Sequence, residues 1–246
     1  MTQARESWTD SARRLLVSPA IPVVVAEPET RSRGTVLLVH GRNGAPGQAQ
    51  IAEIALACLR RGWRVAAPEL PHSAALPASG PPGQVSFAGH TAAAAEAWAW
   101  VARQWPEGAR ALAGHSIGAF AVAHLAADAP DTHHLLAVSP PMSGQVLMRA
   151  RVAMGPAAIA EVRAEAPGYF AEMATADAEP ALRRVRAPLA VVTGAADGLV
   201  PLADARAYFA AAPNARFFAA LPDEHHCPAG PACARMLAAA LAALGA

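Results

Sequence analysis

Within the 246 residues, Gly114-His115-Ser116-Ile117-Gly118 joins a potential nucleophile to a backbone free to turn. A serine hydroxyl attacks poorly until a base takes its proton, and the base needs an anion to orient it. Small residues two before and two after the serine leave room for a sharp strand-to-helix turn that exposes the hydroxyl. The chemistry this suits is attack on an acyl carbonyl, whose oxygen becomes an anion in need of donors. His40-Gly41-Arg42 opens a second glycine-containing loop, Asn43-Gly44-Ala45-Pro46-Gly47. The Arg42 N–H and the Ile117 N–H, the latter at a helix start, are the expected donor pair. Phosphate binding is the competing reading of that loop, but it has neither a G-K-[ST] ending nor the G-x-G-x-x-G spacing.

Asp197 follows the apolar run 189–192 through Thr193-Gly194-Ala195-Ala196 and precedes Gly198-Leu199-Val200-Pro201. That places a carboxylate just beyond a strand, and Asp204 remains to cap the next helix. For the base, His225 and His226 compete side by side after Asp223-Glu224. His40, Arg42, His72, His90, His115 and Met142 are candidates for the pocket wall, whereas His124, His133 and His134 read as surface residues. No H-E-x-x-H spacing is present, and the chemistry requires neither a metal nor an organic cofactor. Arg42 leaves two orientations open. Aimed at the pocket mouth it suits a carboxylate-bearing ester or lactone; aimed outward it is solvated.

These residues need a frame to hold them. Short apolar runs at 23–25, 35–39, 63–67, 110–113, 135–138, 189–192 and 216–218 read as strands, several continuous rather than alternating, as strands covered on both faces are. Helical stretches fall between them at 48–61, 91–105, 117–127, 204–211 and 232–244. The alternation predicts one α/β domain over residues 1–246, with a mostly parallel sheet of about seven or eight strands and helices on both faces. From 141 to 187 the alternation pauses for helices at 157–166 and 169–176, expected to form a small lid with Met142, Val146, Leu147, Met148, Met154, Tyr169 and Phe170 as its apolar residues. The Pro- and Ser-rich stretch 71–83 reads as a loop at the ligand-binding edge.

Four blocks, in order, resemble the α/β-hydrolase superfamily from about Val23 onward: Val36-Leu37-Leu38-Val39-His40-Gly41; Gly114-His115-Ser116-Ile117-Gly118; 186–197, ending in Asp197; and 221–227. The resemblance implies a triad of Ser116, Asp197 and His226, with His225 the alternative base. It also implies that His40 shapes the oxyanion loop and that His115 packs rather than reacts. A carboxylesterase-like reaction on a small acyl substrate is the expected activity. Thioester, lactone, peptide, carbon–carbon or peracid chemistry on the same triad, and a non-catalytic binding protein, are the alternatives.

Composition narrows the partners. A formal net charge of +1 supplies no field for nucleic acid. No uncharged stretch of about 18 apolar residues reads as a membrane span, since the Ala-rich C-terminal run contains Arg235. Residues 1–10 lack the apolar core of a secretory signal, and Cys58, Cys227 and Cys233 show no metal or redox spacing, so a reduced, cytoplasmic setting is expected. Arg13-Arg14, Arg60-Arg61 and Arg183-Arg184 read as solvated helix ends. Oligomeric state has no signature.

Overall fold

The alternating pattern folds into one eight-stranded sheet, seen in a computed structural model that describes residues 8–246. Of residues 1–10, which lack the apolar core of a secretory signal, 1–7 lie outside the described residues. The elements are β1 (Arg13–Ser18), β2 (Ile21–Ala26), β3 (Gly34–Val39), α1 (Ala49–Arg60), β4 (Arg64–Pro68), α2 (Phe87–Gln104), β5 (Ala109–His115) and α3 (Ile117–Asp128). Next come β6 (Leu135–Val138), α4 (Gly144–Met154), α5 (Pro156–Glu165), α6 (Pro167–Glu172), α7 (Glu179–Leu182), β7 (Leu189–Gly194), α8 (Leu202–Ala211), β8 (Ala215–Leu221) and α9 (Gly230–Ala243). Strand order is β1-β2-β4-β3-β5-β6-β7-β8, antiparallel at β1/β2 and β2/β4 and parallel from β4 onward.

Side-chain alternation divides the interior into two layers. Leu37 and Val39 of β3 enter the cluster that contains Phe120 of α3 and Tyr208 of α8, while Val36 and Leu38 enter the one with Ile51 and Ile54 of α1 and Leu237 of α9. α3 is apolar on every side, with Ile117 through Ala123 all buried, because it lies beneath the sheet and is covered by α2. After β3 the chain moves to β4 on one side; after β4 it crosses back to β5 on the other. Such a reversal opens a crevice at the carboxyl ends of the two strands, and the loops beginning at His40 and Ser116 meet there.

The structure corrects several expectations. Arg13 and Arg14 lie on edge strand β1, not at a helix end, and pair with Glu27 and Glu69. Charge on an exposed edge discourages further strand pairing. His134 is fully buried rather than on the surface, its ring packed edge-on against Trp63 at 4.8 Å. The insertion between β6 and β7 holds four helices where two were expected. α4 is capped by Ser143, whose hydroxyl accepts from Val146 N–H, and stops at Gly155, whose φ of 105° suits glycine. Among the described residues, no helix is long and apolar enough to cross a membrane.

Candidate active site

Ser116 occupies the turn between β5 and α3 at φ 55°, ψ −128°, a conformation L-residues rarely adopt. The two glycines make the turn possible. A Cβ on Gly114 would lie 2.5 Å from the backbone of Gly118, and one on Gly118 would lie 2.1 Å from the Val39 carbonyl oxygen. The Ser116 N–H donates to the Val138 carbonyl at 2.9 Å, tying the turn to β6.

The loop after β3 comes close to this serine. A Cβ on Gly41 would stand 3.0 Å from the Ser116 Cβ, so only a glycine backbone passes here without displacement. His40 holds the loop from behind. Its Nδ1–H donates to the Gly41 carbonyl at 2.7 Å, its Nε2 accepts from Leu70 N–H at 3.0 Å, and its own carbonyl accepts from His90 Nε2–H at 2.8 Å. Those partners fix the neutral tautomer, since a second ring proton would meet the Leu70 N–H. Burial, only partly offset by the Gly41 hydrogen bond, pushes the His40 pKa down to about 4. Neither Arg42 N–H nor Ile117 N–H donates a backbone hydrogen bond among the described residues.

The other two groups arrive from β7 and β8. His226 Nε2 lies 2.8 Å from Ser116 Oγ, and His226 Nδ1 lies 2.8 Å from Asp197 Oδ2. A carboxylate only accepts, so Nδ1 carries the proton and Nε2 is free to receive one from the serine. Asp197 is 5% exposed, and its second oxygen accepts from the Leu199 and Val200 N–H groups at 2.8 and 2.9 Å. Burial alone would raise its pKa. The hydrogen bond from His226, the electrostatic attraction of that ring and the two amides outweigh burial and hold the carboxyl below its usual range. Asp197 caps no helix, because α8 begins only after Pro201.

His226, not its neighbour, completes this chain. His225 is exposed and donates from Nδ1 to the Ala196 carbonyl at 2.9 Å. His115 lies buried beside the site and donates from Nε2 to the His226 carbonyl at 2.8 Å, pinning the base loop. Burial, with the like charge of His226 adding to it, pushes the His115 pKa down to about 3.

Ser116 and His226 open into a cavity of about 190 Å³, shared with Arg42, His115, Leu147, Arg151 and Tyr169. Three expected wall residues lie elsewhere. His40 is used up behind the loop that begins at Gly41. His72 is turned back by its own loop, where its N–H donates to the Ser79 carbonyl and its ring rests against Gly80. Met142 packs on the core and faces a different depression beside Glu179 and Ala211. His90, also a pocket candidate, is buried on α2 against His40. Arg151 was missed. It lies in a helix not anticipated from sequence, and nothing local distinguishes it from Arg149 two positions earlier.

A mostly parallel eight-stranded sheet, with a serine turn after β5 and helices on both faces, is the α/β-hydrolase fold. Solved structures of similar shape include Est1E from Butyrivibrio proteoclasticus, with TM-score 0.72, 15% identity and coverage of 96% of this chain and 99% of that one. TT1662 from Thermus thermophilus matches with TM-score 0.68 and 20% identity over 95% and 97% of the two chains. XC6422 from Xanthomonas campestris, described as a member of the α/β serine hydrolases without a lid, matches with TM-score 0.64 and 19% identity over 95% and 91%. No family model and no curated protein matches the sequence.

Proposed function

We propose that the chain is a serine hydrolase that cleaves a small ester through an acyl-enzyme, acting as one catalytic domain with residues 141–187 as a helical lid. The observation that carries this reading is the unbroken line from Ser116 through His226 to Asp197, with both links at 2.8 Å. Ser116 Oγ attacks the acyl carbon as His226 Nε2 takes its proton. The carbonyl oxygen, now an anion, accepts from the Arg42 and Ile117 N–H groups. The intermediate collapses, the carbon–oxygen bond to the leaving alcohol breaks, and His226 returns the proton to that oxygen. Water then releases the acid by the same proton path in reverse. Asp197 keeps the ring in the working tautomer and balances its transient charge.

The structural neighbours include the esterase domain of a Rhodothermus marinus protein and Est1E with ferulic acid bound. They lend weight to the ester class without naming a substrate for this chain. Intact mass after exposure to a fluorophosphonate tests the reading. We expect one adduct on wild type and none on Ser116→Ala, followed by turnover of simple aryl esters. A folded wild type that takes no adduct overturns it.

A further inference from the structure

α4 carries two arginines whose surroundings differ. Arg149 is exposed and pairs with Asp204 at 2.8 Å. Arg151, two positions on and so on another side of the helix, is half-buried and lines the cavity that holds Ser116. Its hydrogen bond is to the Leu147 carbonyl one turn back, a long 3.4 Å, and no carboxylate lies within ion-pair distance among the described residues. Burial is the largest influence on its pKa and lowers it. Tyr169, Glu161 and Glu165 act in the opposite direction, while the charge of Arg42 adds to the lowering.

Arg42 is scarcely better matched. Its guanidinium reaches Glu165 Oε2 at 3.5 Å, a carboxylate that is half exposed, and lies 5.3 Å from the centre of the Tyr169 ring. Neither reading of its orientation is complete: it lines the cavity and also leans on the lid helices. The cavity wall therefore includes two arginines, and no aspartate or glutamate lines it. Withdrawing a cation from water without a carboxylate partner is costly, and Arg151 stands that way beside Arg42, whose one ion pair is long and half exposed. Their planar forks match the two oxygens of a carboxylate.

We propose that Arg151, together with Arg42, binds a carboxylate carried by the substrate, so that the ester preferred by this enzyme is an anion. The proposal rests on the serine hydrolase reading and adds its substrate class. Bond breaking is unchanged; the carboxylate serves only to hold the substrate beside Ser116.

Two matched pairs of esters test it, one with the charge on the acyl side and one on the leaving group. The first pair is the 4-methylumbelliferyl hemiglutarate and its neutral counterpart, the 5-methylhexanoate. The second is 3-acetoxybenzoate and 3-acetoxybenzamide. In at least one pair, wild type is expected to favour the anion in kcat/KM by about tenfold or more, the scale of one charge-assisted hydrogen bond. Arg151→Gln should erase most of that ratio and Arg151→Glu should reverse it, with circular dichroism reporting the fold. The anion's kcat/KM should also fall with added salt while the neutral ester's does not, a wild-type measurement that decides the matter if the variants do not fold. Ratios near one in both pairs, or a preference that survives Arg151→Gln in a folded protein, overturn the carboxylate site alone. If wild type turns over none of the four esters faster than Ser116→Ala, the hydrolase reading falls and this inference falls with it.

Discussion

Ser116 holds a left-handed φ that costs about 1–3 kcal/mol, and the cost is met by neighbours that leave it no alternative. Its N–H is fixed on Val138, and glycines flank it at the two places where a Cβ would collide. At this scale Asp197 is the most informative partner to change. Asp197→Asn keeps the shape but can offer its amide N–H₂ to His226 Nδ1, which stabilises the wrong ring tautomer. We expect kcat to fall by about 10⁴-fold with an unchanged circular dichroism spectrum. A loss below tenfold would remove Asp197 from the mechanism. Ser116 and Asp197 were legible in the sequence because local pattern marks both, a glycine-bounded turn and a carboxylate just past a strand. Adjacent His225 and His226 were not separable that way. What distinguishes them is distant in sequence: the His115 bond to the His226 carbonyl, and the reach of His226 to Ser116 across 110 residues.

Among the elements, β7 sets the position of the base loop through a bare backbone. A Cβ on Gly194, the last residue of β7, would lie 2.2 Å from the carbonyl oxygens of both Glu224 and His225. Gly194→Ala must push that loop away, and the loop carries His226. The expected result is a loss of kcat of at least about 100-fold, since a displacement near 1 Å is enough. Thermal stability should change less, because the displaced loop lies at the surface. Measuring fluorophosphonate labelling rate and melting temperature on the same sample separates the two. The strands of the parallel sheet were readable as continuous apolar runs. β1 was not, because an edge strand with two exposed arginines resembles a polar terminus. α4 was also missed, since its limits depend on a single cap at Ser143 and a stop at Gly155, and Arg149 and Arg151 interrupt its apolar face.

Over the whole molecule, buried histidines make the fold acid-sensitive. Burial pushes His40 down to about 4 and, with like-charged neighbours adding to it, His90, His115 and His134 down to about 3. An unfolded chain protonates each of these below the ordinary value of 6.5, while the folded chain does not until far lower pH. Stability is therefore full above about pH 6.5 and declines as pH falls, with unfolding at pH 5 taking up about four protons. Urea midpoints measured from pH 7.5 to 5 should drop steeply, and a flat profile would mean that these rings are not held uncharged. None of this was visible in the sequence, where His90 reads as a pocket candidate and His134 as a surface residue. Their partners, His40 and Trp63, come from other strands and loops.

The order of the strands has one more consequence, in time rather than in space. The serine turn is built from β3, β5 and β6, but His226 comes 110 residues after Ser116, and Asp197 lies 29 residues before His226. At roughly 5–20 residues per second, a nascent chain carries its serine for roughly 5–20 s before the histidine has even been added. Through that interval Ser116 has no His226 beside its hydroxyl. The line from Ser116 through His226 to Asp197 is therefore completed last, with the pairing of β7 and β8.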